Sequence, residues 1–552
     1  MRLRTPRQIG FRARQELVNL WLTALPPAPH IGGEFIPGLK LPDPGEIGPE
    51  VAGLADEIRS HRFPIFGATV DTGPEIRWRR DYTRGIETGL VYFRRVPYLD
   101  TARAGDHKVI WELNRHQHLV VLAQAFRLTG ESSNLDEIRA QLESWIAANP
   151  FQRGINWASA LEAAFRALSW IWIDHYAGRE MPATFRARWL HMLYLHGCHL
   201  ANNLSFYYSP NNHLVGEAAA LHALGRYFSG LPRAGRWERL GARVMREQMD
   251  RQIRADGSSF EQSTYYQVYL LDMFSLHAAL ANPGPRYRAK LKQMAEFLRA
   301  IAGPSGRLPL LGDDDGGCLS LPIGRPSGVG ISQSKLFPDA GLAVMTCGDT
   351  HAIVDAGPFG ALHAGHSHSD TLSIVLRSGS AEILIDPGTY TYTAEPKWRD
   401  WFRGTAAHNT IRIDARDQAV MAGPFRWVGK PRVNILDWRT NTERDILEAE
   451  CRYAGFTHRR RVEFRKPDVF LITDDVSGPP GLHDVEQFWH LGAFQSPGEA
   501  RAKLILPDDA ELIESWRSTT FGEKFPAPML RVRRRSELPI RLEARIVLVV
   551  GC

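Results

Sequence analysis

"GPSGRLPLLGDDDGG", residues 303–317, is where the chain changes its periodicity, and the two sides of it read as different kinds of structure. Ahead of it, from about residue 105 to 303, apolar residues recur with a helical period. In "SSNLDEIRAQLESWIAANP", 132–150, Leu135, Ile138, Leu142, Trp145 and Ile146 fall on one face, a serine or Asn134 is placed to cap the start, and Pro150 follows the end. Similar segments predict helices near 156–178, 184–206, 212–229, 235–254, 260–281 and 285–302. Many successive helices on short loops imply antiparallel pairs in a bundle, solenoid or toroid. Beyond the stretch the period falls to two: "LSIVLRSGSAEILIDPGTY" (372–390), "TIRIDARD" (410–417), "RRRVEFRKPDVFLITDDV" (459–476) and "RLEARIVLVV" (541–550) are strand-like runs between Gly, Pro and Asp turns. Helices followed by sheets, without alternation, predict an α+β chain of separate domains. The boundaries expected are 1–104 for an N-terminal helical and loop segment, 105–320 for the helical domain and 321–552 for an antiparallel sheet domain. "LGDDDGG" itself reads as a turn, because it lacks the spaced ligands and distal Glu of a calcium loop.

Composition sets outer limits. At 552 residues the chain is too long for one ordinary core, and 44% hydrophobic with 23% charged residues excludes disordered and collagen-like classes. No apolar run of about 18 residues occurs, so no membrane span is expected. The start, "MRLRTPRQIGFRARQELVNLWLTALPPAP", reads as an amphipathic helix before a proline-rich link, with a poor export signal as the lesser alternative. Cys198, Cys318, Cys347, Cys451 and Cys552 are scattered, which argues against a disulfide framework or thiolate zinc site. The formal charge of +6 comes from dispersed residues, and neither a long basic run nor a nucleic-acid motif is seen, so no nucleic-acid partner is expected.

Three groups carry candidate chemistry. In "HAGHSHSD", 363–370, His366 and His368 alternate and so share one face of an extended chain. Asp386 follows 18 residues after His368, where a hairpin of six-residue strands would bring it alongside, and His408 in "AAHNT" is a third candidate. Two imidazoles and a carboxylate suit one divalent ion, zinc or manganese, although such histidines can also merely bond across a sheet. In "SPNNHLVGEA", 209–218, Asn212 and His213 stand where a helix starts; one Asn is an N-cap or the pair faces a cleft. In "DGSSFEQSTYYQ", 256–267, Tyr265 and Tyr266 open another helix, a position where most tyrosines only pack. Asn114, Arg115, Trp157 and Arg166 at helix starts, with Arg399 and Arg403 in "WRDWFRG", are candidates for binding an acidic sugar chain; Glu162 and Arg166, four apart, equally form an intrahelical pair.

Together with "GHSHSDTLSIVLRSGSAEILIDPGTYTYT" (365–393) and "WRDWFRGTAAHNTIRID" (398–414), these motifs resemble the heparinase II/III family of polysaccharide lyases, from about residue 105 to the C-terminus. The resemblance implies an N-terminal (α/α) toroid followed by an antiparallel β-sandwich, and β-elimination at a 4-linked uronic acid in a glycosaminoglycan, with alginate or a bacterial exopolysaccharide as the alternative substrate. It matches Asn212 to a carboxylate-binding asparagine and His213 to a histidine that binds the carboxylate or acts as base for one C5 epimer. Tyr266 matches the general acid, in some members also the base, and His366 a histidine of the cleft. His368, Asp386 and His408 match the ligands of a structural metal. Gln267 stands where the family often has His. Arginine charge from Arg115, Arg166, Arg399 or Arg403 is expected to lower the Tyr266 pKa. A non-catalytic polysaccharide-binding protein and a metal-dependent hydrolase are the competing classes. Family likeness implies a periplasmic or secreted location, the lack of a clear signal a cytoplasmic one; oligomeric state is not legible.

Overall fold

The computed structural model describes residues 5–35, 37–42, 47–316, 330, 333–492 and 502–548. Cys318, Cys552 and the expected boundary at 320/321 lie outside these. Two compact units share the chain: a helical unit of Met1–Asp250, Asp272–Arg288 and Gly317–Gly324, and a sheet unit of Arg251–Leu271, Ala289–Gly316 and Arg325–Cys552. No described helix is long and apolar enough to cross a membrane.

In the helical unit, Ala160–Ala177 is buried on every side from Leu161 to Asp174, with Glu162, Arg166 and Asp174 among the buried side chains. It packs against Gln117–Thr129, Ala183–Asn203 and Asn212–Tyr227. Fully buried Ala163, Ala164 and Ala167 on one side and Ala218 to Ala220 on the other keep the facing surfaces small. Helical segments expected around 132–148, 235–254, 260–281 and 285–302 form as Ser132–Ala148, Ala234–Gln252, Thr264–Ala281 and Pro285–Ala302. The first is not capped as expected: Glu131 takes the N-cap position without a side-chain bond, and Asn134, on the buried face, accepts a bond from Arg59 at 2.7 Å. Two short antiparallel pairs, Arg62–Ile65 with Ala68–Asp71 and Arg80–Asp81 with Ile86–Glu87, interrupt the N-terminal segment.

The sheet unit holds antiparallel sheets of five, six and four strands. The alternation of Val469–Ser477 sends Phe470, Ile472 and Val476 into a core shared with Ile374, Leu376, Leu447, Phe464 and Trp489. Asp474 points inward in the same register, where Arg460 meets both its oxygens at 2.7 and 2.8 Å and His458 Nε2 lies 2.7 Å away. Burial alone would raise that carboxyl; the Arg460 charge and these bonds hold it well below the usual range. Expected strands form as Ile374–Ser378, Ala381–Leu384, Ile411–Ile413, Phe456–Arg465 and Ile540–Leu548. The first two make a hairpin through Gly379, at φ 58, which delivers Asp386 to one end.

Candidate active site and metal centre

Gly312 is where three segments of the sheet unit converge. At φ +67 it adopts a conformation that favours glycine, and a Cβ there would lie 2.6 Å from the Gln262 carbonyl and 2.8 Å from that of His366. The close approach is sealed by Thr264 N bonding Leu311 O at 3.0 Å and Asp313 N bonding His366 O at 2.9 Å. It sets the start of the Tyr266 helix, the Asp313 loop and the histidine stretch side by side. Ser263 Oγ accepts the Tyr266 N–H at 3.2 Å, as an N-cap does, and donates to Asp313 O at 2.7 Å.

From there Tyr266 reaches the centre of a polar cluster. Its ring stacks on His366 with centroids 3.7 Å apart, and its hydroxyl lies 3.0 Å from the Tyr392 hydroxyl and donates to Asp315 Oδ2 at 3.4 Å. Tyr265 is only half-buried, with its ring edge on Tyr266. Gln267 turns inward and donates to Gly257 O at 2.8 Å. His366 Nδ1 sits 3.1 Å from Asp313 Oδ2, and its Nε2 is 3.6 Å from Glu261. Asp313 also takes His368 Nε2 at 3.0 Å and a two-point contact from Arg399, one arm at 2.8 Å. Burial pushes the Tyr266 hydroxyl well above its ordinary pKa, and the charges of Asp315, Tyr392 and Asp313 push the same way. The expected net lowering by arginine is therefore corrected: Arg399 does act on Tyr266, but burial and the carboxylates, Asp313 with which Arg399 pairs included, outweigh it, and Arg403 pairs with Asp400 at 2.6 Å.

His368, Asp386 and His408 are all buried, and their ligand atoms lie within 4.8 Å of one another. His408 Nδ1 is 3.0 Å from Asp386 Oδ2, whereas His368 Nδ1 and His408 Nε2 are buried with no hydrogen-bond partner. Two such nitrogens beside a carboxylate fit a divalent ion with mixed N and O ligands. Asp313 behind His368 repeats the carboxylate–histidine pairing that orients metal-ligating imidazoles.

In the helical unit Asn211, not Asn212, takes the N-cap place, accepting from His213 N at 3.4 Å. Asn212 is fully buried and His213 half-buried. Glu217, one turn on, accepts from Ser205 N at 2.7 Å and Ser205 Oγ at 2.6 Å, tying the preceding loop to this helix.

The six residues expected to bind sugar are all interior. Trp157, Arg166, Asn114, Arg399 and Arg403 are at most 1% exposed, and Arg115 is 4% exposed. Glu162 pairs with Arg115 at 2.7 Å, so the expected Glu162–Arg166 ion pair is replaced. Arg166 instead bonds His196 Nε2 at 2.9 Å and the carbonyls of Asn114 and Asn156, beneath the Trp145 ring at 4.4 Å. Asn114 donates to Trp78 O and Ile110 O at 2.8 and 2.7 Å, and Trp157 donates to Asn149 O. Direct sugar contact would require each group to leave these partners, so the structure places them as supports of the fold. The sequence reading missed Asp313, Asp315, Glu261 and Tyr392. The three consecutive acids of "GDDDGG" and the doubled Tyr of "TYTY" were the available signals.

Comparison with known families places both halves. Residues 50–317 match the description Heparinase II/III N-terminus, and residues 331–545 match Heparinase II/III-like, C-terminal. The heparin-sulfate lyase of Bacteroides stercoris is 22% identical over 495 residues, covering 78% of this chain and 69% of that one. The heparin-sulfate lyase of Pedobacter heparinus is 24% identical over 448 residues, covering 71% of this chain and 63% of that one. A crystal structure titled heparinase III superposes with a TM-score of 0.70 at 16% identity, covering 98% of this chain and 89% of that one. At that identity the superposition shows a shared fold, a helical region followed by antiparallel sheets.

Proposed function

The chain belongs to the heparinase II/III family of polysaccharide lyases, and we propose that it cleaves a 4-linked, uronic-acid-containing glycosaminoglycan by β-elimination. Heparin-type sulfated polymers, heparan sulfate among them, are the first to consider, because relatives are named heparin-sulfate lyase. The observation that carries the reading is Tyr266, whose ring stacks on His366 and whose hydroxyl lies 3.0 Å from that of Tyr392.

Elimination removes the C5 proton, forms the C4=C5 double bond and breaks the C4–O bond, so the departing oxygen must gain a proton. A tyrosine whose pKa is raised is in the donor form that this last step needs. The C5 proton is weakly acidic until the neighbouring carboxylate is neutralised by hydrogen-bond donors. The family resemblance assigns that role to Asn212 and His213, with His213 as base for one C5 epimer and Tyr266 as base as well as acid in some members, and it matches His366 to a histidine of the cleft. Asp313 and Arg399 position His366. A divalent ion held by His368, Asp386 and His408 would supply fixed positive charge that braces the strand ends around it; zinc and manganese both suit the ligands.

The test is ultraviolet absorbance of unsaturated uronate on heparan, chondroitin, hyaluronan and alginate, with Tyr266→Phe as control. A rise on a glycosaminoglycan that the control lacks supports the proposal. A rise on alginate alone moves the substrate class, and new saturated ends without absorbance would assign hydrolysis.

A further inference from the structure

The helix Pro6–Ala24 turns its apolar face outward. Ile9, Leu17, Leu20 and Trp21 are 55, 69, 50 and 54% exposed, and Ala13 and Ala24 are exposed beside them. At 100° per residue these six occupy one sector of about 120°. The opposite face carries Gln15, Asn19 and Leu22, all buried. Asn19 exchanges amide bonds with Asn203 at 2.9 and 3.0 Å and accepts from Asn202 and Gln152 at 2.8 and 3.0 Å, while Gln15 donates to Asn202 O at 2.9 Å. A surface helix normally buries its apolar side and wets its polar one. Here the inward side, which mixes Gln15 and Asn19 with Leu22 and with Phe11 against Phe206 and Tyr207, is locked to the unit by side-chain amides and packing, and the capping box of Thr5 and Gln8 fixes the first turn. The orientation is therefore specified, and the apolar stripe is left for something else.

Charge identifies the occupant. Arg14 and Arg7 border the stripe on one side, both exposed, and Glu16 borders it on the other. Its single acid, Glu16, is turned away to Arg94 at 2.8 Å and Tyr92 at 2.9 Å. A second copy seated on this stripe would bring these arginines against one another, the one bordering acid, Glu16, being already paired with Arg94. Phosphate-bearing lipid answers both the apolar and the cationic parts, and an aromatic such as Trp21 suits the headgroup boundary.

We propose that this helix lies in the plane of an anionic lipid bilayer surface, with Leu17, Leu20 and Trp21 inserted and Arg7 and Arg14 at the phosphates. At 19 residues it would lie along roughly 28 Å of that surface. Docking of this kind holds the protein at a membrane without spanning it, and does not depend on the catalytic reading.

The experiment is sedimentation of the full chain with vesicles of phosphatidylcholine alone and of equimolar phosphatidylglycerol and phosphatidylcholine. Roughly tenfold or greater partitioning to the anionic vesicles is expected, falling at high salt. The Leu17→Glu/Trp21→Glu double variant should lose it, and Arg7→Glu/Arg14→Glu should weaken it several-fold, both with unchanged circular dichroism and melting because these side chains are solvent-facing. Absence of binding, or equal binding to both vesicles, overturns the proposal. So does a lipid-independent dimer in light scattering that the double variant abolishes, which would assign the face to a second copy.

Discussion

Asp313 and His368 are joined by a 3.0 Å bond between two groups with no measurable solvent exposure, and the same carboxylate holds His366 through its other oxygen. One side chain thus links the candidate catalytic imidazole to the candidate metal ligands. Asp313→Asn keeps the shape and removes the charge, leaving Arg399 buried without its partner. A loss of about 3–5 kcal/mol is expected from breaking a buried pair, and metal affinity should fall roughly 10- to 100-fold as the His368 orientation relaxes. Melting curves and elemental analysis of the purified variant test both. Chelation of the parent should lower its melting temperature, and His408→Ala should make melting insensitive to chelator. A parent free of bound metal after purification in zinc or manganese would remove the metal assignment.

Tyr266→Phe should melt like the parent and lose turnover by a factor of about 10²–10⁴, the usual worth of a general acid. Tyr392→Phe removes one partner of the Tyr266 hydroxyl and should lower kcat roughly tenfold, the equivalent of one hydrogen bond. Comparable rates for parent and Tyr266→Phe would rule out the acid role.

Glu217 makes folding pH-dependent. Its burial pushes the carboxyl up to about 8, against an ordinary 4.5. Below the ordinary value both folded and unfolded chains carry the proton and there is no penalty. As pH rises from about 4.5 to 8 the unfolded chain releases the proton while the folded one keeps it, so stability falls across that window and levels off above it. Glu217→Gln should therefore flatten the decline in melting temperature between pH 5 and 8. An identical decline in the variant would show that another group governs it.

Arg166 donates to one imidazole and two backbone carbonyls, and it sits under Trp145 and Trp157. Arg166→Ala should lower stability by about 3 kcal/mol or more through lost packing and unsatisfied carbonyls, while KM for a working substrate stays within about twofold of the parent. A large rise in KM at unchanged melting would restore the sugar-binding role expected from sequence.

Fold class was legible because it rests on period, and period is local. The shift from 3.6 to 2 around residues 303–317 separates Pro285–Ala302 from the strands that begin at Lys335, and the hairpin spacing brings Asp386 to His368 and His408. Residue types were legible where the chemistry is concentrated in short motifs, as in "HSHSD". Burial of polar groups was not, because it depends on partners far along the chain. Arg166 and Arg399 look alike in sequence as exposed cations at helix positions, yet His196 in one case and Asp313 in the other hold them in the interior. The helix Pro6–Ala24 shows the same limit from the other side. Its amphipathic pattern could be read from sequence, but which face turns inward was decided by Asn202, Asn203 and Gln152, whose amides satisfy Asn19 better than any apolar contact would. Sequence sets which side chains share a face; only the assembled fold, by pairing or stranding their polar atoms, decides which face meets solvent.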